Sequence, residues 1–112
     1  MKALITGASS GIGRDIAREL SKKGYDLILV ARDLDKLNEL KAELKTKSEV
    51  ICMDVSKSEN CKELHDKYND IDILINNAGF GDCGYFDKTD LDKELQMINT
   101  NIVAYHVLTK LY

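Results

Sequence analysis

Eight residues near the start constrain this chain more than any others: Thr6-Gly7-Ala8-Ser9-Ser10-Gly11-Ile12-Gly13 join a short β-type run, Ala3 to Thr6, to a stretch of helical periodicity. In that stretch Ile12, Ile16, Ala17 and Leu20 share one face, and Gly24 closes it as a C-terminal cap. A strand that turns into a helix through glycines exposes backbone N–H groups, and the positive end of the helix dipole, where no side chain stands in the way. An anion such as a pyrophosphate needs that arrangement. The spacing is G-x-x-x-G-x-G and not G-x-G-x-x-G, so the loop by itself also reads as a bare tight turn.

The rest of the chain repeats the alternation of short β-rich runs with longer helical ones that marks βαβ units. Leu27 to Ala31 is apolar at successive positions, as in a central strand covered on both faces. Asp33 caps a helix with Leu34, Leu37, Leu40, Ala42 and Leu44 on its apolar stripe. A third strand is predicted at Val50–Met53, a polar helix from about Ser58 to Tyr68, and a fourth strand at Ile71–Asn76. Gly79, Gly81 and Gly84 mark a loop, and a last helix starts near Asp90 with Leu91, Leu95, Ile98 and Ile102 in its spacing. From Ile102 onward that helix is apolar nearly all round, which calls for burial against another surface. The expected fold is α/β with a doubly wound parallel sheet, and residues 1–112 form one domain without repeats or linkers.

Composition removes several function classes. With 16 Lys and Arg against 19 Asp and Glu, the formal charge is −3 and no basic cluster is present, so no nucleic-acid partner is expected. No apolar run approaches the roughly 20 residues of a membrane span, and the first strand begins directly after Met1, leaving no room for a signal peptide. No membrane association and a cytoplasmic location are therefore expected. Three cysteines (Cys52, Cys61, Cys83) and two histidines lack metal-site spacing, so no metal is predicted, and Cys52 reads as a small buried hydrophobe.

Taken with Asp54-Val55 and Asn76-Asn77-Ala78-Gly79, the motif TGASSGIG resembles the short-chain dehydrogenase/reductase family along the whole chain. The resemblance implies a Rossmann-type sheet of strand order 3-2-1-4, shortened relative to the full family fold, with ligand across the carboxyl ends of the strands. It also implies that residues 1–112 are the dinucleotide-binding domain, the N-terminal part of a longer enzyme. Carried over, Ser9, Ser10, Gly11 and Ile12 line the cofactor phosphates, while Gly7 and Gly13 give the turn and the close helix–sheet packing. Asp54, with Val55 beside it, accepts a hydrogen bond from the adenine amino group, against the alternative of a plain strand-end turn. Asn76, Asn77, Ala78 and Gly79 hold the sheet and line the ribose next to the nicotinamide, a structural role for Asn76 being at least equal.

Cofactor choice is read at the end of the second strand, Val30-Ala31-Arg32-Asp33. Ala31 stands where NAD-preferring relatives carry an acid, and Arg32 offers a fork for a 2′-phosphate, so NADP(H) is favoured over NAD(H). Arg32 as a plain surface arginine, or Asp33 turning to a ribose, are the competing readings. Family members move a hydride between cofactor and a carbonyl/alcohol pair, with a Tyr-x-x-x-Lys pair and a serine handling the proton. None of these can be assigned here: Tyr105 and Lys110 are five apart, Tyr85 and Lys88 three. Asn101 resembles the helix asparagine of the proton relay, a role it would have in the complete enzyme only and not in this chain, the alternative being a satisfied core amide. Two functions follow: an NADP(H)-dependent oxidoreductase for a small-molecule carbonyl or alcohol, of which this is the cofactor-binding fragment, or a stand-alone non-catalytic dinucleotide module. A nucleotide-binding methyltransferase is weaker, because its cofactor wants an acid at the second strand's end. The open edge of the fourth strand and the apolar last helix predict a homo-oligomer.

Overall fold

In a computed structural model, which describes residues 1–112, four parallel strands form one sheet in the order β3-β2-β1-β4. The chain runs β1 (Lys2–Thr6), α1 (Gly11–Lys22), β2 (Asp26–Ala31), α2 (Leu34–Glu43), β3 (Ser48–Cys52), α3 (Ser58–Lys67), β4 (Ile73–Ile75), α4 (Leu91–Ile98), a π-helical turn (Asn99–Val103) and α5 (Ala104–Leu111). Period-two alternation divides the central strands between two cores. Ala3, Ile5, Leu27 and Leu29 face α1 and α2, where Ala17, Leu37 and Leu40 meet them. Leu4, Ile28 and Val30 face the other side, against Cys61 and Leu64 of α3 and Leu108 of α5. All of β2 after Asp26 is buried, and each such Leu or Ile contributes about 1.5–3 kcal/mol by leaving water.

Local chemistry explains the helix ends. Asp33 accepts from the Lys36 N–H at 3.1 Å to cap α2, and Asp90 accepts from Lys93 N–H at 3.3 Å to cap α4. Gly24, at φ +90°, takes the chain out of α1 in a conformation that a side chain would resist.

The strands and the last helix depart from the sequence reading in four places. β3 starts at Ser48 and not Val50, because its pairing with β2 begins at Leu27↔Ser48 and its polar first residues are carried by that ladder. β4 is only Ile73–Ile75, in register with Ala3–Ile5 of β1, because the chain beyond it turns the N–H groups of Asn77 and Ala78 onto the Thr6 hydroxyl and leaves the ladder. Cys52 is exposed, since β3 is an edge strand and its end reaches the rim. The stripe Leu91, Leu95, Ile98 and Ile102 faces outward, while Ala104 and Leu108 supply the buried side. No helix is long and apolar enough to cross a membrane.

Candidate functional site

The carboxyl ends of all four strands open into a groove of about 380 Å³. Of the residues singled out in the sequence, Gly7, Ser9, Ser10, Ile12, Arg32, Asp54, Val55, Asn77, Ala78 and Gly79 line it. Gly11, Gly13 and Asn76 stay outside the wall, whereas Thr100 and Phe80, not anticipated from sequence, are in it.

The three glycines of the loop do different work. Gly7 has φ +67°, and a Cβ there would sit 2.8 Å from Ala78 Cα and 2.9 Å from Ala78 N. Gly13 adopts ordinary helical dihedrals, yet its Cβ would lie 2.3 Å from Asn77 Nδ2 and 2.4 Å from Gly7 O. Gly11, at φ +56°, has open space around it, so conformation alone demands it. The loop is thus pressed onto the backbone that leaves β4. At the other side of the loop α1 begins at Gly11, with no capping bond from the side chain of Ser10 before it and no acidic residue in its first turn. Its first N–H groups and the positive end of its dipole face the groove uncompensated, which is the requirement for an anion.

A buried hydroxyl locks this arrangement. Thr6, fully buried, accepts at Oγ1 from the N–H groups of Asn77 and Ala78, both at 3.1 Å, and donates to Ile75 O at 3.4 Å. Asn77 Nδ2 in turn donates to Gly7 O at 3.1 Å. Sequence reasoning treated Thr6 as the end of a strand; a hydroxyl among apolar residues at a strand terminus was the available signal. Asn76 turns the other way, donating to Thr109 Oγ1 at 3.0 Å, and its buried Oδ1 has no partner. Asn76 is thus tied to α5 and does not line the groove.

At the far end stand the acid and the cation. Asp54 Oδ1 accepts from Ser56 N–H at 3.0 Å, and Oδ2 from Gln96 Nε2 at 3.4 Å. Desolvation pulls the Asp54 pKa up, but the Ser56 hydrogen bonds, the charge of Arg32 and the Gln96 bond outweigh it and hold the carboxyl below its usual value. Asp54 therefore makes a strand-end turn and lines the groove at once. Arg32 is exposed and takes part in no salt bridge, unlike Arg18, which pairs with Asp15 and Glu43. The Asp33 carboxylate is engaged as the α2 cap.

Asn101, on the π-helical turn, accepts from Phe80 N–H at 3.0 Å and donates to Phe80 O at 2.7 Å. Each half of its amide makes one hydrogen bond to the chain just past Gly79, and it does not line the groove. The turn that presents it also delivers Thr100 to the groove wall. The assembled site can hold an extended anion with a polar group at one end; it contains no tyrosine–lysine pair for proton transfer.

The family model described as short chain dehydrogenase matches residues 1–112. Among curated proteins, the uncharacterized oxidoreductase YvaG of Bacillus subtilis is 38% identical over 98% of this chain and 44% of its own length. A human very-long-chain 3-oxoacyl-CoA reductase is 34% identical over 97% of this chain and 38% of its own. A solved short-chain dehydrogenase from Sphingobium yanoikuyae, in complex with NADPH, superposes with a TM-score of 0.88 at 32% identity, covering 98% of this chain and 46% of that one. The chain thus spans less than half the length of these relatives.

Proposed function

The chain belongs to the short-chain dehydrogenase family, and on that footing we propose that residues 1–112 are the dinucleotide-binding part of an NADP(H)-dependent oxidoreductase acting on a carbonyl/alcohol pair. The observation that carries the reading is the uncapped start of α1, behind a glycine loop closed onto Asn77 and Ala78, opening on a groove that ends in Asp54 and the unpaired Arg32. Ser9 to Ile12 take the pyrophosphate, Gly7 and Gly13 give the turn and the close packing, Asp54 takes the adenine amino group, and Asn77 to Gly79 the ribose beside the nicotinamide. Arg32 takes the 2′-phosphate, with Ala31 leaving room where an acid would repel it. Asp33 stays with its helix. The bound nicotinamide supplies the hydride chemistry; Asn101 contributes by holding Phe80, and no residue here exchanges the substrate proton. The 112-residue chain alone accordingly binds cofactor without turnover, and a Tyr-x-x-x-Lys in the same reading frame, in coding sequence beyond codon 112, would decide for the enzyme over a stand-alone binding module. The outward stripe of α4 and the open edge of β4 support self-association in the same reading.

Calorimetry tests the cofactor assignment. NADPH is expected to bind more tightly than NADH, and Arg32→Ala to narrow the gap by about 1–3 kcal/mol, the scale of a charge-assisted contact. Equal affinity for the two cofactors before mutation refutes it.

A further inference from the structure

Asp54 is held from two sides. Its Oδ1 is engaged within its own turn by Ser56 N–H, so that oxygen's direction is set by local backbone. Its Oδ2 receives a donor from 42 residues further along the chain, Gln96 Nε2 on α4. Gln96 is half-buried and lies one turn before Thr100, which lines the groove, so both belong to the face that α4 and the π-helical turn show to the site. The other side-chain bonds made by α4 and its cap, Thr89 to Glu94, Lys93 to Asp82 and Lys93 N–H to Asp90, stay within the preceding loop and the helix itself. Gln96 to Asp54 is the bond that ties the helix to the end of the sheet.

We infer that Gln96 is a positioning residue for Asp54: its amide fixes the second carboxylate oxygen so that the acid meets the amino group of a purine at the groove's end, and it thereby sets the site's selectivity for adenine over a base lacking that group. The inference rests on the proposed role of Asp54 as acceptor for the base. A carboxylate anchored at one oxygen only can rotate about its terminal bond, a broad and weakly restrained torsion. With both oxygens engaged its plane is fixed before the base arrives. At 3.4 Å the Gln96 bond is long for an N–H···O contact, so it steers the carboxylate without exhausting the acceptor capacity of Oδ2, which retains a lone pair for the ligand.

The test compares NADPH with its analogue carrying unsubstituted purine, hydrogen in place of the amino group, by calorimetry on the 112-residue chain. Wild type is expected to prefer NADPH by about tenfold or more, the value of one hydrogen bond to a charged acceptor. Gln96→Met, which keeps the length and removes the donor, brings that ratio toward one with the analogue's affinity unchanged. Gln96→Glu, which sets a second carboxylate against Oδ2, collapses the ratio as well. A ratio that survives both substitutions overturns the inference, as does an equal loss of affinity for both ligands, which marks Gln96 as a mere tether. A wild-type ratio of one, insensitive to Asp54→Ala, overturns instead the role of Asp54 on which the inference stands.

Discussion

Replacing Gly13 by alanine isolates the tightest feature of the loop. Its backbone conformation is that of an ordinary helix, so alanine brings no dihedral strain and, by propensity alone, is favoured. The methyl, however, would arrive 2.3 Å from Asn77 Nδ2 and 2.4 Å from Gly7 O, and these two atoms are donor and acceptor of one 3.1 Å hydrogen bond. The substitution therefore wedges that pair apart. Overpacking costs about 1–3 kcal/mol and the broken bond about 1 kcal/mol, for a loss of about 2–4 kcal/mol. In urea, with a slope of about 2 kcal/mol/M, the midpoint falls by about 1–2 M at constant slope. Gly11→Ala is the matched control: open space but φ +56°, and a cost of about 1–2 kcal/mol from the left-handed conformation alone. The Asn77–Ala78 wall moves only in Gly13→Ala, so that variant also loses cofactor affinity. A midpoint for Gly13→Ala equal to or above that of Gly11→Ala refutes the claim that the loop is seated on Asn77.

Thr6→Val keeps the shape of the side chain but leaves the N–H groups of Asn77 and Ala78 without their acceptor; a loss of about 2–4 kcal/mol is expected in denaturant melts, and little in Thr6→Ser. A loss in Thr6→Ser with none in Thr6→Val would show that the methyl and not the hydroxyl matters. At high pH, burial and the hydrogen bond to Glu49 push the Tyr68 pKa up from 10.0 to about 12. The folded state thus holds the proton more tightly than the unfolded one, so the contribution is complete below about pH 10 and is lost between about pH 10 and 12. Tyr68→Phe flattens the stability profile in that window, and parallel profiles for the two proteins would contradict it. Self-association through the β4 edge or the exposed Leu91, Leu95, Ile98 and Ile102 is checked by light scattering, where a stable mass near 12.6 kDa at all concentrations rules it out.

The alternation of strands and helices and the glycine turn were legible because they depend on patterns that are local in sequence: apolar runs of strand length, glycines at a strand-to-helix turn, an aspartate before a helical stripe; the strand order and the site's place across the strand ends followed only from the family resemblance. What was not legible depends on partners far along the chain. Nothing near Gly13 announces that Asn77 lies against it, and nothing near Thr6 announces that it serves two N–H groups past β4. Strand limits failed for the same reason. β3 begins where β2 offers it a ladder, and β4 ends where the chain turns its N–H groups onto the Thr6 hydroxyl. Cys52 looked like a core residue from its neighbours, yet an edge strand's last residue reaches the rim, where its thiol donates to Arg32 O at 3.3 Å.

The last helix shows how a functional site can invert a hydrophobic pattern. Its inward side is given by Gln96, Thr100, Ala104 and Leu108, four residues apart, and Ile102 lies two residues, about 200°, from Thr100 on the opposite side. Where the inward side meets the groove it must be polar, so Gln96 reaches Asp54 and Thr100 lines the wall; only beyond the π-helical turn, against α3, does it turn apolar with Ala104 and Leu108. Leucines and isoleucines then dominate the outward side by default, and periodicity selects that side as the core face. The same turn sets Asn101 against Phe80 with two hydrogen bonds while its neighbour Thr100 enters the groove, as fits the concentration of π-bulges at functional sites. The polar half of this helix is thus accounted for by the site it closes, and its apolar half remains exposed until some other surface covers it.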